Sequence, residues 1–122
     1  MIQLRSIIKP ADNCGAKKLR VIHLYGGSQK KTAAIGHLLN CVVDGLSQEA
    51  IVKDKEKVLV LLVRTRKEMK RPDGSYIRFD DNAGVIIDKE GNPRGTRIFG
   101  PIPREIKDLK YHKIASLAPE II

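Results

Sequence analysis

Val58-Leu59-Val60-Leu61-Leu62-Val63 runs without a break into Arg64-Thr65-Arg66-Lys67. Six apolar residues in a row are too few for a typical helix and suit a strand. A strand with one wet face alternates apolar and polar side chains, and this one does not. Both of its faces are therefore expected to be covered. One cover is the interior of a closed barrel; the other is a helix or a partner protein. Side chains two apart share a face, so the continuation is expected to project Arg64 and Arg66 on the same side.

Upstream of this run, Leu4 to Ile8 reads as a short first strand, closed by Lys9-Pro10 and the turn Asp12-Asn13-Cys14-Gly15. Leu19 to Tyr25 alternates, with Leu19, Val21, His23 and Tyr25 on one side, until Gly26-Gly27 ends it. Leu38 to Val43 is a third run. Downstream, Arg71-Pro72-Asp73-Gly74 is a turn in which proline presets φ and glycine accepts φ > 0. Tyr76 to Phe79 and Ala83 to Asp88 follow as short strands. After Gly100 the pattern changes. Pro103 opens a helix with Ile106 and Leu109 three apart, and a second runs from Tyr111 with Ile114 and Leu117 in register until Pro119. The expectation is one mainly β domain over residues 1–122. Residues 1–100 form a small closed five-stranded barrel with a projecting ribbon near 26–32, and 101–122 form a helical appendage.

The 122 residues carry 23 Lys plus Arg against 14 Asp plus Glu, a formal charge of +9, and are 42% hydrophobic. That apolar content supports a folded core. The surplus attracts polyanions. Residues 1–61 hold ten cations against five acids and residues 62–122 thirteen against nine, so the charge is no detachable tail. It clusters at Lys17, Lys18, Arg20, Lys30 and Lys31, and again at Arg64, Arg66, Lys67, Lys70 and Arg71. Such clusters favour a surface that follows phosphates, against the alternative of a solvated basic face. No long basic amphipathic helix or apolar span is visible, so no membrane role is expected. The first residues lack a charged region followed by an apolar one, so no secretory signal is expected either.

Catalytic and metal chemistry find no support. Cys14 and Cys41 stand alone, and His23, His37 and His112 show no ligand spacing. Pro101 stands where a phosphate-binding loop needs lysine. Asp80, Asn82 and Gly84 resemble the start of a calcium loop, but Val85 replaces its turn glycine. No nucleophile elbow surrounds any serine. No catalytic residue, metal or cofactor is expected. The five aromatics (Tyr25, Tyr76, Phe79, Phe99 and Tyr111) mostly alternate with core positions, so they are expected to be buried. That leaves Lys and Arg contacts to phosphate and ribose of folded RNA. The candidate RNA-contacting residues are Lys9, Lys17, Lys18, Arg20, Lys30, Lys31, Arg64, Arg66, Lys67, Lys70, Arg71, Arg78, Arg94 and Arg104.

The stretch Val60 to Ile86, with Asp73-Gly74, Phe79, Asn82, Val85 and Ile86 at their spacing, resembles the signature of the L-fourteen family of universal large-subunit ribosomal proteins. So do Ala11-Asp12-Asn13-Cys14-Gly15-Ala16, Gly26-Gly27-Ser28, Gly95-Thr96-Arg97-Ile98-Phe99-Gly100-Pro101 and the ending Ser116-Leu117-Ala118-Pro119-Glu120. The resemblance implies a structural constituent of the large subunit that binds large-subunit rRNA and touches small-subunit rRNA across the interface. It implies a place in the ribosome, in a bacterial cytoplasm or a mitochondrial or plastid matrix. It also implies, as neighbours, large-subunit proteins three and nineteen, and a docking surface for the ribosome silencing factor at Thr96, Arg97 and Lys113. Val58, Val60 and Leu62 are then expected to meet a protein. Three positions depart from the pattern: Val60 replaces Gly or Ala, His37 replaces Asp after Gly36, and Lys55-Glu56 replaces a glycine-containing turn. The alternative of a different class is a free β-barrel translation factor that binds single-stranded RNA.

Overall fold

The structure, a computed structural model, describes residues 2–26, 31–48, 50–109 and 111–122. Its strands are β1 (Ile7–Pro10), β2 (Ala16–Leu24), β3 (Leu38–Leu46), β4 (Lys57–Arg64), β5 (Met69–Lys70), β6 (Tyr76–Ile77) and β7 (Ala83–Ile87). Two short helices follow, α1 (Arg104–Asp108) and α2 (His112–Leu117). Strands β1, β2, β3, β4 and β7 close the expected five-stranded barrel, and β5 and β6 form a separate two-stranded ribbon. All barrel pairs are antiparallel except β1 with β7, where Lys9 faces Ala83 and Pro10 faces Gly84. Closure through that parallel pair leaves the barrel sheet without an open edge.

The β4–β7 wall separates two apolar clusters, which is why β4 has no polar face. Inside the barrel, Val58, Val60, Leu62 and Ile86 pack with Ile8, Leu19, Val21 and Leu39. Outside, Leu61, Val63, Val85 and Ile87 pack beneath Ile102, Ile106 and Ile114, the last two from α1 and α2. The second cover is thus the chain's own C-terminal segment. Val58, Val60 and Leu62, expected to meet a partner protein, are 3%, 0% and 0% exposed and line the barrel interior instead. Val60 has room there because Gly84 has no side chain: a Cβ at Gly84 would sit 2.4 Å from Val60 Cγ1.

Element boundaries differ from expectation for local reasons. Arg5 adopts φ 68°, so β1 begins at Ile7 rather than Leu4. A bulge between Val21 and His23 shifts the register of β2. It turns Leu24 inward and leaves His23 outside, against the simple alternation. Leu109 lies past the end of α1 and is exposed, whereas Ile106, Ile114 and the half-buried Leu117 face the core as expected. The C-terminus folds back, with Ile102 N–H donating to Glu120 O and Ile122 N–H to Ile102 O. Residues 27–30 of the expected ribbon near 26–32 lie outside the described residues.

The departures from the family pattern are absorbed locally. His37 Nδ1 accepts from Ala34 N–H at 3.0 Å, a hydrogen bond that a carboxylate in its place is also able to accept. Lys55 sits at φ 62° where glycine would be relaxed. Its ammonium lies 3.1 Å from Asp44.

Candidate nucleic-acid interface

Barrel closure assembles one basic groove from distant parts of the chain. Lys9 points outward on β1, next to the inward Ile8. β2 runs antiparallel beside β1 and brings Lys17 and Lys18 alongside. The parallel β1–β7 pair sets residues 80–82 against Lys9, whose N–H donates to Asn82 O at 3.0 Å. Asn82 Oδ1 in turn accepts from Arg66 N–H at 2.9 Å, fixing the chain as it leaves β4. The result is a groove of about 330 Å³ lined by Ile7, Ile8, Lys9, Lys17, Lys18, Arg66, Asp80, Asp81 and Asn82. Among the described residues, no carboxylate lies within 4.0 Å of the charged ends of Lys9, Lys17, Lys18 or Arg66. Four cations converge there, with Asp80 and Asp81 in the same lining and Lys18 across from Asp44 on β3.

Other candidates are already engaged. Arg64 is 8% exposed and does not share a surface with Arg66. Its guanidinium pairs with Asp81 (Nε to Oδ1, 3.1 Å) and donates to the carbonyl of Phe99 at 2.8 Å and of Pro101 at 3.5 Å. A Cβ at Gly100, which has φ 79°, would collide with Arg64 Nη1, so glycine makes the space the guanidinium fills. Arg71 pairs with Glu105 at 2.8 Å, its side chain only 12% exposed, and ties the 71–75 turn to α1. These two arginines are engaged within the fold, Arg64 at the end of β4 and Arg71 at the turn beside α1. Asp81 and Glu105 thus neutralise two of the five clustered cations from within the chain.

The remaining candidates lie between these extremes. Arg20 and Asp44 approach to 3.6 Å, Lys67 and Glu68 to 3.2 Å, and Arg94 and Glu56 to 2.7 Å. The hydrogen bond from Lys55 holds the Asp44 carboxyl below its ordinary range, and that from Arg94 does the same for Glu56. Lys31, Lys70, Arg78 and Arg104 are exposed. Lys30 lies outside the described residues. Lys70 pairs with Tyr76, which is 65% exposed. Tyr25 and Phe99 are also open, against the expectation of buried aromatics, while Phe79 is buried.

Thr96 and Arg97 are exposed and held in place by Asn13. Its Oδ1 accepts from both backbone N–H groups, at 2.9 and 3.1 Å, and its Nδ2 donates to Thr96 Oγ1 at 2.8 Å. The Arg97 guanidinium lies 5.6 Å from the centre of the Phe99 ring. Thr96 lines a recess with Ile51 and Phe99, whereas Lys113 lines another with Glu90 and Tyr111. Asn13 and Asn82, whose amides position these surfaces, carry no charge or periodicity to mark them in the sequence.

Three buried groups complete the electrostatics. Asp12 accepts from Ile86 N–H at 3.1 Å and from the Cys14 thiol at 3.2 Å, and burial raises its carboxyl above the ordinary value. Burial also pushes both thiols up to about 12, with Asp12 adding to the effect on Cys14. Among the described residues, no group of three or more His, Cys, Asp or Glu is placed to hold a metal ion, and no helix is long and apolar enough to cross a membrane. Compared with known families, the chain matches the model described as Ribosomal protein L14p/L23e over residues 1–122, its full length.

Proposed function

The chain belongs to the ribosomal protein L14p/L23e family of structural large-subunit proteins, and from that premise we propose that it binds large-subunit rRNA through the groove of Lys9, Lys17, Lys18 and Arg66. It works there as a single rigid domain with no chemistry of its own. The observation that carries this reading is the convergence of four unpaired cations on one face by barrel closure. Lysine and arginine on a fixed scaffold neutralise phosphates and read the shape of folded RNA. Exposed Lys70, Arg78 and Arg104 extend the same contact, and part of this surface reaches small-subunit rRNA across the interface.

The protein neighbours belong to other faces. Thr96 and Arg97, held by Asn13, form the docking surface for the silencing factor, with Lys113 at a second contact point. Large-subunit proteins three and nineteen are the expected neighbours in the assembled subunit. Membership of a structural ribosomal family favours this reading over a free single-strand-binding translation factor.

Sedimentation tests it. The native protein is expected to travel with large-subunit particles through sucrose gradients and to stay with them through moderate salt washes. A protein found mainly in the ribosome-free fractions contradicts the reading.

A further inference from the structure

The β5–β6 ribbon is two-faced. Met69 pairs with Ile77, and both pack against the outer apolar cluster. Lys70 pairs with Tyr76, so these two share the opposite face, and Arg78, just past the end of β6, is exposed as well. Tyr76 is 65% exposed, the most open of the large hydrophobic side chains among the described residues. An aromatic ring of that exposure has no role in the core.

The ribbon is also held firmly. Arg71 N–H donates to Ser75 O at 2.8 Å, and Asp73 Oδ1 accepts from Ser75 N–H and Oγ–H at 3.0 and 2.7 Å. The Arg71 side chain clamps the turn to Glu105. The backbone that carries Tyr76 is thereby held in place. Glu68 lies 3.2 Å from Lys67 and also feels the charge of Arg78, so one carboxylate accompanies the cations here. Protein interfaces are depleted in lysine, whereas a π-face flanked by cations suits a base with its phosphates on either side.

We propose that Tyr76 is a base-stacking residue: the outer face of the ribbon takes one unpaired nucleotide of rRNA, with the ring against the base and Lys70 and Arg78 on its flanking phosphates. This goes beyond phosphate neutralisation, and it rests on the rRNA-binding reading above.

The test uses the full chain, naked large-subunit rRNA and intact large subunits. Ultraviolet cross-linking is expected to join Tyr76 to a single nucleotide in both. Tyr76→Phe keeps the affinity within about twofold. Tyr76→Leu weakens it roughly 5- to 100-fold with an unchanged salt slope, because a stacked base is lost and no charge is. Tyr76 is on the surface, so both variants are expected to keep the wild-type circular dichroism. Leu-variant affinity equal to wild type, or a Tyr76 cross-link to a protein in the intact subunit, overturns the stacking proposal while leaving rRNA binding standing. Absence of salt-dependent binding by the wild-type chain overturns the rRNA reading beneath it.

Discussion

Arg64 and Asp12 show how a single side chain is spent on the fold rather than on a ligand. Arg64 crosses from the end of β4 to the Phe99 and Pro101 carbonyls, and Asp81 neutralises it. Arg64→Ala is expected to lower stability by about 2–4 kcal/mol in urea unfolding, because it orphans Asp81 and two carbonyls. Its effect on the salt dependence of rRNA binding is expected to be nil. Asp12 works in the opposite electrostatic direction. Its folded carboxyl titrates above its unfolded value, so the folded state holds the extra proton. Its contribution to stability is therefore complete below about pH 3.8 and declines as pH rises through the folded value. Urea midpoints across that range should show the stability of the protein relative to Asp12→Asn falling with rising pH. Both thiols are buried and stay protonated, so a disulfide-exchange reagent is expected to leave them unmodified until the chain unfolds. None of these roles was legible in the sequence, which shows that a residue is charged but not which carbonyls come to lie around it.

At the scale of elements, the doubly apolar β4 was legible because burial on two faces removes alternation. The identity of its outer cover was not: the run is equally apolar whether α1 and α2 or another protein lies on it. The bulge in β2 was hidden too, since one extra residue leaves composition untouched and reverses the facing of His23 and Leu24. Across β4 and β7, Val60 fills the space that Gly84 leaves open. Gly84→Ala is expected to cost about 1–3 kcal/mol through overpacking. In the Val60→Ala background the same change is expected to cost at least about 1 kcal/mol less, as a double-mutant cycle detects for touching groups. Additive effects would show that the two positions do not share that space. The exposed face of the β5–β6 ribbon escaped the sequence reading because two-residue strands are too short for alternation to assign faces.

Over the whole molecule, the basic character and the barrel were readable from composition and from the spacing of short strands and turns. The grouping of cations was not. Lys9, Lys17, Lys18 and Arg66 are scattered over 58 residues, and only closure of β1 onto β7 places them around one groove. Local density along the chain pointed instead to the Arg64–Arg71 segment, where internal acids consume two of the charges. Phosphate contacts are therefore expected around the groove, to which the densest cationic run contributes Arg66, and not at Arg64 or Arg71. The most direct measurement is the affinity for large-subunit rRNA as a function of salt concentration. With Lys9, Lys17, Lys18 and Arg66 all changed to alanine, the slope of log affinity against log salt is expected to flatten by about 3, at ~0.7–0.9 per phosphate contact. A slope equal to that of the wild-type protein contradicts the account.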